Sequence, residues 1–485
     1  MYFFSRISRI LPYVGVALAV LGFSMFIPML MSLYLEELYT KRFGLLGIAG
    51  ILTGLLLYKV FKRTKNDIMP RDAYLLVTST WLVAGIYGAI PYLWHGVAPG
   101  FPQAFFEAVS CFTTTAPTVI AGPESLPRSL LLYRSLSFWM GGLGIVVLFV
   151  SMLSYLGAGG TMMWKAEATG PVKIKLAPRI RDTARFLCLT YLSLTSLMIL
   201  VFYISGMTLY DAVCHAFSAI SLGGFSTQDE GVIAYGNKIV LIYTVFCLIS
   251  SLRIHLYYLS FKERSVKPFW RNEESRTFLI AFSVFVGITS ISLWASGKTI
   301  TSSMMDGFTF MTSIFTTVCF LAVDYKILPP IFLFLWKTLP YIGACSGSCS
   351  GGLKMERFII LVKEIRSAII RVLHPRAVVS IRLHGKPVPV EIVGRTVVFF
   401  FIYILIIVLS TGLFCLLGYD LHESFSVVSA CINNTGLAYN QAGPFMDYSH
   451  LPVWSMFFLP FLMIVGRLEL YTVLVMFNKG FWKEG

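Results

Sequence analysis

The chain has 485 residues, of which 56% are hydrophobic and only 13% are charged, and its mean hydropathy is +0.75. These values exclude a soluble globular domain and indicate a polytopic membrane protein. The formal net charge of +15 lies in short clusters of Lys and Arg between apolar spans. That pattern predicts cytoplasmic loops rather than a nucleic-acid-binding face.

The first predicted element is a hairpin of two membrane spans, assigned to residues 1–70. One span runs from Ile10 to about Tyr34 and the second from Gly44 to Phe61, after which Lys62 begins a basic cluster. Because the N-terminus is also basic, the positive-inside rule places both ends of the hairpin in the cytoplasm. The same rule predicts that both termini of the chain are cytoplasmic.

The rest of the chain repeats one pattern four times, in the predicted units 71–160, 161–262, 263–375 and 376–485. Each unit contains an apolar span, a short apolar helix with a Ser-, Thr- or Gly-rich loop, and a second span. The clearest short helix lies in the stretch from Tyr210 to Thr227 and is too short to cross a bilayer. Irregular backbone at membrane depth must be lined by protein or water. The repeat therefore predicts an all-α fold in which four re-entrant loops surround a central pathway in a pseudo-fourfold ring.

The third and fourth units carry two additional features. The second span of the third unit begins near Ile327, breaks at Gly343–Gly352 and resumes as a basic amphipathic helix from Leu353 to about Val372. Residues Val378 to Val390 are predicted to form a small cytoplasmic β-hairpin.

The second spans of the other units are predicted as continuous helices. They run from about Tyr133 to Tyr155, from about Ile239 to Leu259 and from about Val453 to Phe477. Acidic residues near the starts of the short helices are predicted to act as helix caps. These residues are Glu107, Asp211, Asp306 and Glu423.

The four loops offer the ligands that a cation pathway needs. Aligning them on their Thr/Ser-x-small positions places Ala116, Gly223, Cys319 and Gly436 in register. Four loops can direct backbone carbonyls at a common axis and replace the hydration shell of an alkali cation. The short helices also point their negative dipole ends at the membrane centre. The predicted filter residues are Thr114, Thr115, Ala116, Ser221, Leu222, Gly223, Thr317, Val318, Cys319, Asn434, Thr435 and Gly436.

Several motifs carry a resemblance to a known family. They include SAISLGGFST at Ser218–Thr227, GSCSGGLK at Gly347–Lys354 and GRLELYTVLVMF at Gly466–Phe477. On these motifs the sequence resembles the Trk/Ktr/HKT superfamily of potassium transporters, most closely its TrkH type, over nearly the whole chain. The resemblance implies a potassium uptake protein and not an enzyme, with K⁺ as the transported ion and no covalently bound cofactor.

The resemblance also implies the setting and partners of the chain. It predicts a multi-pass subunit in the inner membrane of a bacterium, in contact with lipid. It further predicts a homodimer that binds a cytoplasmic nucleotide-binding regulatory subunit similar to TrkA, and no nucleic-acid partner. An intramembrane gate is expected at residues 343–352. The implied gate residues are Gly347, Ser348, Gly351, Gly352, Lys354 and Arg467.

Two filter positions depart from the family pattern, because Ala116 and Cys319 stand where the family has glycine. Where a residue must adopt left-handed backbone, a Cβ costs about 1–2 kcal/mol. A weakly selective sodium and potassium pathway and a non-conducting paralogue are therefore alternatives to a potassium-selective protein. A remote alternative, a polytopic membrane enzyme, is not supported by any Walker, Rossmann or metal-ligand motif in the sequence.

Three basic residues in apolar surroundings have two interpretations each. Arg467 lies mid-span and is either a pore or gate residue or a structural partner of Glu469. Lys354 is either a gate residue or an interfacial anchor. Arg253 either snorkels or pairs in the cytoplasmic half of its span, or it has a gating role.

Overall fold

The computed structural model describes residues 2–61, 70–144, 180–320, 328–438 and 447–482, and this part of the chain is almost entirely helical. The predicted all-α class is confirmed. The N-terminal hairpin consists of α1 (Tyr2–Ser24), α2 (Phe26–Tyr34) and α3 (Thr40–Phe61). Helices α1 and α3 pack so closely that a Cβ on Gly54 would lie 2.3 Å from the carbonyl oxygen of Gly15.

The first two repeats each place a short helix between longer segments. The first repeat contains α4 (Pro70–Trp94), α5 (Phe101–Phe112) and α6 (Arg128–Gly142). The second contains α7 (Ile180–Ile204), α8 (Leu209–Ser221), α9 (Asn237–Ser250) and α10 (Ile254–Glu263), and α11 (Lys267–Arg271) leads to the third. The predicted continuation of α6 to Tyr155, the basic stretch from Lys165 to Arg179 and the cluster that begins at Lys62 lie outside the described residues.

The third and fourth repeats contain the additional features expected from the sequence. The third consists of α12 (Glu273–Ala295), α13 (Ile300–Thr316), α14 (Pro330–Thr338) and, after the loop at 343–352, α15 (Met355–Leu373). Strands β1 (Arg382–Leu383) and β2 (Lys386–Pro387) form the predicted antiparallel hairpin. The fourth repeat follows with α16 (Val390–Leu416), α17 (Leu421–Ile432), α18 (Ser455–Leu468) and α19 (Leu470–Leu474). Short 3₁₀ turns lie at Pro123–Ser125, Gly231–Tyr235, Leu339–Tyr341, Val475–Phe477 and Lys479–Phe481.

Several helices have the length and composition of membrane spans. In the described part of the chain, six segments are long and apolar enough to cross a membrane. They are Arg6–Tyr34, Thr40–Phe61, Arg71–Trp94, Arg185–Ile204, Glu273–Ala295 and Val390–Leu416. Two further helix pairs are long and apolar enough to cross a membrane only when each pair is counted as one span. The angle between α9 and α10 is 89°, and the angle between α18 and the segment that follows it is 116°.

These two bends correct the prediction of continuous second spans in the second and fourth repeats. The first bend falls at Ser251–Arg253 and the second at Glu469, where φ is 63°. Neither place contains the Pro or Gly that usually marks a kink. Instead, Arg253 pairs with two buried carboxylates and Glu469 pairs with Arg357. Tertiary ion pairs therefore turn the chain where the apolar pattern alone would continue the helix.

The short helices lie in the interior and the outer spans face outward. Every residue of α5 from Ala104 to Phe112 is buried. By contrast, only 22% of the apolar window in α7 and in α12 is buried. Apolar side chains such as Ile288 and Ile291 remain exposed on α12, as is typical of helices that contact lipid. The loops that follow the short helices are therefore surrounded by protein.

Candidate functional site

Each short helix ends near a residue with left-handed backbone. These residues are Thr114, Leu222, Thr317 and Asn434, with φ values of 56°, 59°, 58° and 50°. In three of the loops the backbone returns to the left-handed region two residues later, at Ala116 (φ 74°), Gly224 (φ 77°) and Gly436 (φ 62°). The first, second and fourth loops therefore follow one shared backbone path.

The shared path corrects the predicted register of the second loop by one residue. Gly224, rather than Gly223, is equivalent to Ala116. Gly223 instead packs against Phe138, whose Cδ1 would lie 2.5 Å from a Cβ at this position. Ser221 is still helical, and its hydroxyl donates to the carbonyl four residues earlier (2.8 Å). The register depends on where α8 ends, which the composition of the loop does not determine.

The third loop leaves the shared path at Cys319. Its φ lies outside the left-handed region, and the N–H of Phe320 donates to the carbonyl of Val318 (2.9 Å) in a γ-turn. The hydroxyl of Ser313 also donates to the carbonyl of Val318 (2.9 Å). This carbonyl is therefore engaged by two internal donors.

The four loops approach one another through their backbones. A Cβ on Gly224 would lie 2.2 Å from the carbonyl oxygen of Cys319. A Cβ on Gly436 would lie 2.1 Å from the carbonyl oxygen of Thr115 and 2.9 Å from Sγ of Cys319. Only glycine fits at these two positions. The structure thus brings together the predicted residues of all four loops, with Gly224 added and Ser221 set back into its helix.

A buried ion pair supports the first loop from behind. The carboxylate of Glu107 accepts hydrogen bonds from the N–H of Val119 (3.1 Å) and the hydroxyl of Thr118 (2.9 Å). It also pairs with Arg134 at 2.6 Å, and both side chains are almost fully buried. The guanidinium of Arg134 lies 4.4 Å from the ring centroid of Phe225 in the second loop. Glu107 thus fixes the backbone of one loop and holds the cation that packs on the next.

The predicted acidic caps are wrong. Side chains of other residues cap three of the short helices at their N-termini, and they are Thr208, Thr299 and Asp420. The predicted residues lie further along each helix. Asp211 accepts from Thr227 and from the hydroxyl of the capping Thr208 (2.6 Å). Asp306 pairs with Lys298, and Glu423 pairs with His450. A preceding Thr or Asp with extended backbone is the better capping residue because its side chain reaches the first free N–H groups.

A cavity of about 630 Å³ lies on one side of the loops. It is lined by Ala116, Gly224 and Cys319 at its base and by three carboxylates nearer its mouth. These are Asp229, Glu230 and Asp447. The described residues also place Arg134 and His450 in the wall, each paired with a glutamate. The three carboxylates give this cavity, called the vestibule below, a potential that favours cations.

The predicted gate loop packs on the opposite side. The N–H of Gly351 donates to the hydroxyl of Thr317 (2.8 Å), and the N–H of Gly352 donates to the carbonyl of Asn433 (3.1 Å). A Cβ on Gly351 would lie only 1.8 Å from that carbonyl oxygen. The loop therefore lies directly against the ends of the third and fourth short helices.

Arg467 joins the gate loop to the rest of the site. Its guanidinium donates to the carbonyls of Cys349 (2.6 Å) and Gly141 (2.8 Å) and to the hydroxyl of Thr114 (3.3 Å). Glu469, the partner suggested by the sequence, is bound by Arg357 through two hydrogen bonds. Arg467 thus places a positive charge between the gate loop, the end of α6 and the first loop.

The remaining predicted gate residues lie within the same loop. Lys354 is buried, and its ammonium donates to the carbonyl of Ser350. This position excludes an interfacial anchor. Gly347 has left-handed backbone (φ 77°), and the hydroxyl of Ser348 donates to the carbonyl of Cys345 (2.7 Å). No cluster of three His, Cys, Asp or Glu side chains in the described ranges has the geometry of a metal site.

Comparison with known proteins shows which protein family the chain resembles. Residues 41–483 match the family described as TrkH, cation transport protein. The Trk system potassium uptake protein TrkH of Halomonas elongata is 34% identical over 483 residues, which cover 99% of this chain and 100% of that protein. TrkG of Escherichia coli, also a Trk system potassium uptake protein, is 34% identical over 466 residues, which cover 95% of this chain and 96% of that protein. The crystal structure of the potassium transporter TrkH from Vibrio parahaemolyticus superimposes with a TM-score of 0.87 at 31% identity and covers 99% of this chain and 100% of that one.

The Glu107–Arg134 pair gives a test of how the loops are supported. Replacing Glu107 by Gln keeps the hydrogen-bonding shape but leaves Arg134 buried without a counter-ion. Breaking a buried pair in this way costs about 3–5 kcal/mol, so we expect the thermal unfolding midpoint of the detergent-solubilised protein to fall by several degrees. The matched control is Glu364→Gln, which removes an exposed pair with Arg371 and should cost less than about 1 kcal/mol. Equal midpoints for the two variants would contradict this role.

Proposed function

Because the chain belongs to the TrkH family of cation transport proteins, we propose that it is the ion-translocating subunit of a potassium uptake system. The observation that carries the proposal is that four re-entrant loops meet between an acidic vestibule and the gate loop at 343–352. Potassium enters the vestibule, where backbone carbonyls replace its hydration shell. It then moves down its electrochemical gradient when the gate loop opens. The chain acts as a multi-pass membrane transporter and not as an enzyme.

The proposed filter consists of three successive residues from each loop. They are Thr114–Ala116, Leu222–Gly224, Thr317–Cys319 and Asn434–Gly436. Left-handed residues occupy the first and third positions of three triplets, and backbone carbonyls that face a common axis are the ligands of potassium filters. The helix dipoles behind the loops add a negative potential at the same place.

The proposed gate is the loop at 343–352 together with Arg467. A guanidinium is always protonated, so Arg467 keeps a positive charge beneath the filter as long as it is bound to Cys349. Lys354 adds a second buried cation beside it, and Gly347, Ser348, Gly351 and Gly352 give the loop its compact shape. Potassium passes when the loop and its bound arginine move away from the filter.

One observation favours a second candidate function, a weakly selective sodium and potassium pathway. Cys319 lacks the left-handed backbone of Ala116, Gly224 and Gly436, and the neighbouring Val318 carbonyl is engaged by Ser313 and Phe320. Three loops of one shape and a fourth of another form an uneven ring. An uneven ring discriminates less between ions that differ in the number and distance of their ligands.

The family also suggests where and with what the protein works. Relatives named as parts of a Trk system support placement in the bacterial inner membrane, in contact with lipid, with both termini cytoplasmic. We propose a homodimer regulated by a cytoplasmic nucleotide-binding subunit similar to TrkA, without a nucleic-acid partner. The exposed apolar faces of the outer spans leave room for both lipid and a second copy.

Selectivity is tested by reversal potentials of the purified protein in liposomes under opposed potassium and sodium gradients. The second candidate predicts that the wild type passes both ions and that Cys319→Gly raises the potassium-to-sodium permeability ratio by roughly tenfold, the factor that corresponds to about 1.4 kcal/mol. Ala116→Gly should change the ratio less, because Ala116 already has the left-handed φ. A wild type that is fully potassium-selective would contradict the second candidate. If neither the wild type nor the two variants gave a current in liposomes, the proposed transport function would be contradicted.

The gate is tested by Arg467→Gln. The substitution removes a positive charge and charged hydrogen bonds, each worth about 1.5–3 kcal/mol. We therefore expect the initial rate of potassium flux into liposomes, measured without a cytoplasmic partner, to rise by about tenfold or more. Arg371→Gln, on an exposed pair away from the pathway, should leave the rate unchanged. An unchanged or lower flux through folded Arg467→Gln protein would contradict the proposed gate.

A further inference from the structure

The bend between α9 and α10 turns one arginine into the interior of the protein. The side chain of Arg253 is only 4% exposed. Its guanidinium lies 2.8 Å from the carboxylate of Glu274 on α12 and 3.0 Å from that of Glu356 on α15, and both carboxylates are fully buried. Arg253 therefore joins three helices that are distant in the sequence. This is pairing rather than snorkelling, because the charged group does not reach the protein surface.

The same cluster holds the first half of the gate loop. Nε of Arg253 donates to the carbonyl of Ser346 (3.0 Å), and the carboxylate of Glu274 accepts from the N–H of Ser346 (2.6 Å). Glu274 also accepts from the N–H of Glu356 at the start of α15 (3.1 Å). At the bend itself, the carbonyl of Ser251 accepts from the N–H of Cys345 (3.2 Å). Both backbone groups of Ser346 are thus bound by buried charged side chains.

The second half of the loop is held by a different arginine. Arg467 on α18 binds the carbonyl of Cys349, as described above. The two arginines approach the loop from the second and the fourth repeats. The loop is therefore fixed at Ser346 and at Cys349 by side chains that belong to neither of its own helices.

The chemistry of the cluster suits a positioning role better than a purely stabilising one. A buried ion pair gives little net stability over apolar side chains of the same shape, but removal of one partner is costly. The planar guanidinium of Arg253 meets two carboxylates and one carbonyl at once, which a lysine ammonium does less well. The Nη1 of Arg253 and the Oε1 of Glu356 lack a hydrogen-bond partner within the described ranges. Two of the cluster's contacts, one from Arg253 and one from Glu274, reach the gate loop at Ser346.

We propose that Arg253 is a positioning residue for the gate, which holds the loop at 343–352 in its blocking position through Ser346, Glu274 and Glu356. The proposal rests on the proposed function of that loop as the gate. Opening then requires release of the contacts made by the two arginines at Ser346 and Cys349, in addition to the hydrogen bonds at Gly351 and Gly352. Arg253 does not touch the permeating ion and acts only through the loop.

The first test measures how tightly the loop is held, without reference to transport. Cys345 and Cys349 are buried in the loop, and Cys111 is buried in α5 away from it. Labelling of each thiol by N-ethylmaleimide is followed by peptide mass spectrometry on the full-length protein. In Arg253→Gln we expect Cys345 and Cys349 to react at least about tenfold faster than in the wild type, because a buried pair worth more than that factor is lost. Cys111 should keep its wild-type rate, which separates local release from unfolding.

Three further variants sharpen this test. Glu356→Gln should accelerate labelling less than Arg253→Gln, because Glu274 still binds both Arg253 and the N–H of Ser346. Arg253→Lys should restore part of the wild-type protection, since an ammonium pairs with one carboxylate but does not span all three acceptors. Arg371→Gln, the exposed control, should match the wild type. Wild-type rates at Cys345 and Cys349 in folded Arg253→Gln protein would overturn the proposal. If that variant does not fold, wild-type rates in Glu356→Gln would overturn it.

Flux measurements on the same proteins separate this proposal from the proposed function. We expect Arg253→Gln to raise the potassium flux into liposomes above the wild-type rate, as Arg467→Gln does. One outcome is faster labelling in Arg253→Gln while the wild type, Arg253→Gln and Arg467→Gln all show no potassium flux. This outcome would support the positioning role and overturn the proposed transport function. Wild-type flux together with unchanged labelling and unchanged flux in Arg253→Gln would overturn the positioning role and leave transport intact.

Discussion

Irregular backbone inside a membrane protein has to find its hydrogen-bond partners in protein, because lipid offers none. Five irregular segments meet at the centre of this molecule: four loops at the ends of short helices and the loop at 343–352. Three of these segments take hydrogen-bond partners from side chains behind them. Glu107 binds two groups of the first loop, Ser313 binds the third, and Arg467, Arg253 and Glu274 bind the gate loop. The arrangement of the surrounding helices follows from the need to bring these side chains into place.

This constraint also explains why charged residues occur so deep in an apolar chain. A guanidinium satisfies several carbonyls at once, and a carboxylate satisfies several N–H groups. Each such charge then needs a counter-ion or a full set of hydrogen bonds. Arg134 and Arg253 are balanced by carboxylates, whereas Arg467 is held by carbonyl oxygens. Arg467 is therefore bound by carbonyl oxygens rather than by a carboxylate, as is the neighbouring Lys354.

The sequence is sufficient to predict the general architecture, since hydropathy, basic clusters and the fourfold repeat depend on local composition. Three of its predicted loop triplets begin at the left-handed residue near the end of a short helix, and the second begins one residue earlier, because the loop composition does not determine where α8 ends. The bends at Arg253 and Glu469 are not predictable from local pattern. The ion-pair partners of these residues lie elsewhere in the chain, and neither bend has a Pro or Gly at its own position. The unusual position of Cys319 is visible in the sequence, but the engagement of Val318 by Ser313 is not.

The four repeats belong to a single polypeptide, and this has a consequence for how the ring is able to change. In an assembly of four identical subunits, every substitution appears four times, so an arginine such as Arg467 would place four like charges around the axis. Here it occurs in one quarter, and the loop at 343–352 and the altered Cys319 occur in another. Each quarter is therefore free to diverge after duplication while the other three preserve the enclosure. A blocking element that works from one side only is accessible to a fused chain and not to a symmetric tetramer.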